Sequence, residues 1–197
     1  LQDKGMTSVG RELVQALADT AMTDLVTLGE VKQVQDIVSR YGSAPLGGDG
    51  FIVQYIRGLQ SYDRSREAHA ASGKNAEEPT TDDAIKNMYR EAAKTLEIAG
   101  NARDADRFAE ERGNAGLLLG LSLFYAGDLQ EAADRFERAY QVSVSGGAVA
   151  AKRSEDSLWL AIVSLDKAVE GGRLSLNERL NRLVALYLKT FPKSERA

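Results

Sequence analysis

A handful of positions carry residue types that could do chemistry. His69 is the single histidine, so it is the one side chain whose ordinary titration falls near neutral pH. It sits in the polar run from Arg66 to Gly73, close to an expected helix end, with no companion nucleophile or metal ligand in sight. That setting predicts a solvated histidine, favourable near a helix C-terminus, and not a catalyst. Asp104 and Asp106 are two apart and diverge on a helix, which argues against a working carboxylate pair. Glu110 and Glu111 read as solvated charges. The run Gly47-Gly48-Asp49-Gly50 lacks both the preceding strand and the following Lys-Ser/Thr of a phosphate cradle, so it reads as a hinge or turn. Arg57, Arg64 and Arg66 would suit an acidic partner, but alternating charge on an exposed helix is ordinary. With no cysteine, thiolate catalysis, disulfides and cysteine-bound metal are all excluded. No nucleophile, metal set or phosphate loop is legible, and the expectation is a non-enzymatic chain with no cofactor and no metal.

The elements that would hold a site are helical. Hydrophobic residues make up 43% of the 197 and charged residues 27%, near globular averages, and three prolines leave long uninterrupted stretches. A formal charge of -4 gives no reason to expect a nucleic-acid surface. The longest apolar run, Ala115 to Tyr125, is too short to cross a bilayer, so no membrane insertion is expected. Apolar residues at helical spacing predict antiparallel hairpins over about 8–41, 51–99, 104–145 and 149–191. Thr80 and Thr81 are candidate caps before Asp82 and Asp83, and Ser175 with Glu178 has the spacing of a capping box that would start the last helix at Leu176. Asp128 with Glu131 repeats that spacing after the turn Ala126-Gly127-Asp128. Gly120, costly inside a helix, predicts close approach of a neighbouring one. Trp159 is expected to pack in the core of the last helix pair.

The stretch from Asn114 to Tyr140 organises the rest. Leu119, Gly120, Leu123, Ala132 and Phe136 resemble the helix pair of the tetratricopeptide repeat, although Gly116 stands where that pattern has a large aromatic and no proline closes the repeat. Four sets share a four-then-three spacing: Val34/Val38/Tyr41, Ile85/Tyr89/Ala92, Ala132/Phe136/Ala139 and Leu180/Val184/Tyr187. Their separation of about 50 residues exceeds that of an ordinary tetratricopeptide array. The resemblance implies an all-α fold, a right-handed superhelix of about four antiparallel hairpins in a single domain over 1–197. It also implies a protein- or peptide-binding scaffold that uses its concave face. Leu117, Leu121 and Phe124 would floor that groove, flanked by Tyr55 and Tyr62; the alternative is that the same face is simply buried. Self-association, as a homo-oligomer or a spacer, is the rival use. The chain starts at Leu1, and its ending resembles that of exported bacterial helical-repeat proteins, which implies a piece of a longer protein and a periplasmic setting.

Overall fold

The computed structural model describes residues 8–28, 30–41, 50–143 and 148–196. Its architecture can be built outward from the tightest turn. Helix α5 (Ala109–Ala126) ends at Gly127, whose φ of 82° lies in the left-handed region that disfavours any side chain. The Gly127 N–H donates to the Phe124 carbonyl and the Asp128 N–H to the Leu123 carbonyl, both at 2.9 Å, and these bonds close the helix end. Helix α6 (Leu129–Ser143) then begins at once. Two residues reverse the chain. Both oxygens of the Asp128 carboxylate accept from Arg90, at 2.7 and 2.8 Å, which ties the turn to helix α4 (Asp83–Gly100).

Why α5 and α6 lie so close is visible at Gly120. A Cβ added there would collide with the ring of Phe136, which is fully buried between buried Ala132 and Ala133 and the body of α5. The helix-breaking cost of that glycine is therefore offset by aromatic packing that no larger residue would permit.

The remaining helices are α1 (Ser8–Thr27), α2 (Val31–Tyr41), α3 (Phe51–Ala71), α7 (Ala148–Glu170) and α8 (Asn177–Thr190). Their ends correct several local expectations. Asp82, not Thr80 or Thr81, caps α4, its carboxylate accepting from the Ala84 and Ile85 N–H groups at 2.8 and 3.2 Å. Thr80 is buried and instead donates its N–H to the Tyr125 carbonyl at 2.9 Å. Helix α5 does not begin at 104, the expected start of its hairpin; a single 3-10 turn over Ala105–Arg107 and the irregular Phe108 come first. Ser175 forms no capping box, because a 3-10 turn over Leu174–Leu176 carries the chain into α8, whose first residues lack a side-chain cap. Asp104 is part of no carboxylate pair, and its Oδ1 accepts the Phe51 N–H at 2.9 Å, satisfying the start of α3 from fifty residues away. Residues 42–49, which include most of the expected glycine hinge, lie outside the described residues, as do the 144–147 connector and the first seven positions.

Among the described residues the fold is all-helical, and each helix packs on the one that follows, with α3 also touching α5. Ion pairs link alternate helices across these contacts. Arg135 on α6 reaches Glu97 on α4 at 2.6 Å, Arg179 on α8 reaches Asp134 and Glu137 on α6, and Arg153 on α7 reaches Glu110 on α5 at 3.8 Å. Partly exposed pairs of this kind add little stability singly. One continuous core runs from Met22 to Tyr187, and Trp159 packs at its C-terminal end, 5.6 Å from the Tyr187 ring. No helix among the described residues is long and apolar enough to cross a membrane.

Candidate functional site

Three places could carry function: the expected groove wall, the histidine, and a cleft on another side of α5. Of the wall residues, Tyr55 and Phe124 are each 4% exposed and belong to the core. Tyr55 stacks on Phe51 at 5.6 Å, and Phe51 in turn stacks on Phe108 at 5.2 Å, so this aromatic column seals the base of α3 against the start of α5. Burial raises the Tyr55 pKa, partly countered by a hydrogen bond to Asn114. Phe124 packs edge-on to Tyr125 at 5.3 Å. Leu117, Leu121 and Tyr62 are half-buried, each packed against the core yet still reaching the surface. What the fold leaves open of the expected wall is these three side chains.

His69 overturns its sequence reading. It is fully buried, with its Nδ1 3.2 Å from the Tyr89 hydroxyl and its ring edge-on to Tyr89 at 5.9 Å and Tyr125 at 6.1 Å. Its Nε2 is buried with no hydrogen-bond partner. Burial and then the nearby Arg66 guanidinium hold its pKa below the ordinary imidazole value. Arg66 lies 4.2 Å over the Tyr125 ring and also bonds the Ala76 carbonyl and Glu77, so it roofs this ring cluster with charge. Tyr62 joins the cluster 6.2 Å from Tyr89, and burial lifts its hydroxyl pKa well above normal. The signal was present in the spacing, since Tyr62, Ser65 and His69 recur at three and four on the inner face of α3. The polar residues on either side of His69 concealed it.

The cleft was not anticipated as a site. It lies between α4, α5 and α6 and encloses about 350 Å³. Leu96, Gly116, Leu119 and Ala139 form its apolar floor, and Arg112, Arg135 and Arg138 stand around its rim. Arg112 pairs with Asp106, and Arg135 is held by Glu97 at 2.6 Å and Glu131 at 3.4 Å. Arg138 is exposed and makes no ion pair among the described residues. Leu117 and Leu121 point about 100° or more round α5 from Gly116, so the cleft and the expected wall are separate surfaces. A sequence signal did exist: Gly113 and Gly116 lie on one side of α5, while Arg135 and Arg138 are three apart on α6.

No three histidine, aspartate or glutamate side chains converge as metal ligands among the described residues. Arg57 and Arg64 line neither surface, and the described acids Glu110 and Asp106 sit in ion pairs with Arg153 and Arg112. Comparison with family models, curated proteins and solved structures gives no match to this chain.

Proposed function

We propose that this chain is a non-enzymatic scaffold that binds a protein or peptide on surfaces held in place by stacked helical hairpins. The observation that supports it best is the composition of the cleft. Its floor is apolar, its carboxylates are occupied by arginines, and among the described lining residues none is a nucleophile or an unpaired acid. Such a lining is suited to holding a ligand. The buried imidazole of His69 is walled off by Tyr89 and Tyr125, so it has no path to a substrate.

Preorganisation would be the mechanism. Helices packed in series, with α4, α6 and α8 linked by ion pairs, present their surfaces without an ordering cost on the receptor side. A right-handed curved array, with Leu117, Leu121 and Tyr62 on its inner wall, fits the same contacts. Selection of a displayed random-peptide library on the full chain tests the reading. Enriched peptides whose binding shifts backbone amide signals of α5 are expected, and the absence of any enriched binder would sink it.

Self-association has its own supporting observation. Val9, Leu13 and Leu17 are 72%, 61% and 62% exposed and recur every four residues on the outer face of α1. Helix α1 is thus apolar on both sides. Light scattering over a concentration series decides it: a mass that rises with concentration, and ceases to rise in Leu13→Lys, is expected if this face pairs with another copy.

A further inference from the structure

We infer that the cleft between α4, α5 and α6 receives the C-terminal residue of a partner peptide, with a large apolar side chain on the floor and the terminal carboxylate at Arg138. The inference rests on the scaffold reading and adds the chemistry of the ligand. It begins at Gly116. This glycine lies in the middle of α5, where it weakens the helix relative to alanine, yet a Cβ built on it would have no neighbour within 4 Å. One turn away Gly120 is explained by the Phe136 ring; Gly116 has no such explanation among the described residues. An open floor at that position is what close approach of another molecule would require.

The rim supplies the sign of the charge. Arg112 and Arg135 already have carboxylate partners, whereas Arg138 has none among the described residues. It lines the same cleft as Gly116 and Ala139, so a single anionic group beside an apolar one would satisfy both. The planar guanidinium can take a carboxylate with two parallel bonds. A chain end suits the size. A volume of about 350 Å³ lies at the low end for ligand sites, enough for one large side chain with its backbone.

Three short probes separate the possibilities, each titrated into the isotopically labelled full chain while backbone amide signals are followed. N-acetyl-Ala-Ala-Phe with a free carboxylate should move the signals of Gly100, Gly116 and Ala139. Its C-terminal amide should bind roughly two- to fivefold more weakly, the size of effect a partly exposed charge pair gives. N-acetyl-Ala-Phe-Asp-Ala amide, with the same groups inside a chain, should bind no better than the amide. Gly116→Leu should abolish the response while its melting temperature stays at or above that of the parent, because the added side chain meets open space. Arg138→Gln should bring the acid down to the affinity of the amide. Equal binding of acid and amide, or preference for the internal sequence, overturns the inference. So does the absence of movement at Gly116 with the free acid in the millimolar range, although peptides selected from a library and bound elsewhere on α5 would then leave the scaffold reading standing.

Discussion

The α5–α6 hairpin and the α1–α2 hairpin carry the same spacing of residues and differ in how they are held. In the first, Ala132 and Phe136 are fully buried, Gly120 admits the ring, and neighbours lie on both sides, α4 before and α7 after. In the second, Val34 and Val38 are buried at the matching positions, but among the described residues α3 is the main neighbour of the pair, and α1 turns Val9, Leu13 and Leu17 outward. Matching periodicity therefore establishes that two helices pair. It does not establish how deeply the pair is embedded. Where helix pairs pack in series each borrows stability from its neighbours, so a pair with one described neighbour is the weaker unit.

The comparison breaks most directly at the core of each pair. Phe136→Ala should cost about 3–5 kcal/mol, the range for deleting a buried ring whose surroundings cannot collapse. Val34→Ala should cost about 1.5 kcal/mol, two methylene groups at ~0.8 each. The two should also differ in extent: amide exchange should accelerate across α3–α7 in the first and only within α1 and α2 in the second. Equal costs measured by denaturant unfolding would mean that the end pair is as firmly embedded as the centre. Next in size is Gly120→Leu, which overpacks against Phe136 and should cost about 1–3 kcal/mol; an unchanged melting curve would contradict the close helix crossing.

How much of this was legible follows from the same residues. Helix positions came from apolar periodicity, and the turn at Gly127 came from one residue type, because local rules dominate where the chain reverses in two residues. The caps were less legible. Ser175 and Glu178 had the right spacing, but packing drew Leu174–Leu176 into a 3-10 turn, while the start of α3 found its partner in Asp104, fifty residues away. Of the expected wall, Tyr55 and Phe124 are core residues, and only their three-dimensional neighbours Phe51, Phe108 and Tyr125 reveal that. The cleft was visible in the sequence as Gly116, standing where the resembling pattern has a large ring, and as Arg135 and Arg138 three apart on one helix. That Arg112, from a different helix, joins them could not be read.

The histidine gives the comparison a pH axis. His69 lies in α3, at the junction where the central stack is closed by Tyr89 and Tyr125, and its pKa is lowered on folding by burial and by Arg66 and Lys74, against a smaller opposing effect of Glu77. The unfolded chain therefore binds its proton more readily than the folded one. Stability should be undiminished above the ordinary imidazole value of about 6.5 and should fall as pH drops below it, levelling off beneath the folded pKa. His69→Phe should flatten the dependence of unfolding free energy between about pH 5 and 6.5, above the range in which carboxylates titrate. An identical slope in that variant would place the titrating group elsewhere.

Smaller still is the gain expected from Gly116→Ala. With open space at its Cβ and helix on both sides, the change should stabilise the chain by about 1 kcal/mol or somewhat less, opposite in sign to any substitution at Gly120 one turn on. Chemical denaturation of the two variants side by side is the measurement. A loss at position 116 would mean that a segment outside the described residues already fills the cleft.

The smallest effect belongs to the outer face of α1. Leu13→Gln and Leu17→Gln remove apolar side chains that are 61% and 62% exposed, so each should change the unfolding free energy by less than about 0.5 kcal/mol at low protein concentration. The neutrality should hold only for the isolated chain. If copies pair through this face, the parent alone would gain stability as concentration rises, because association favours the folded form, and the variants would lose that dependence. A cost above about 1 kcal/mol in dilute solution would instead mean that α1 is covered within its own chain, and the contrast between the exposed end pair and the embedded central pair would fail.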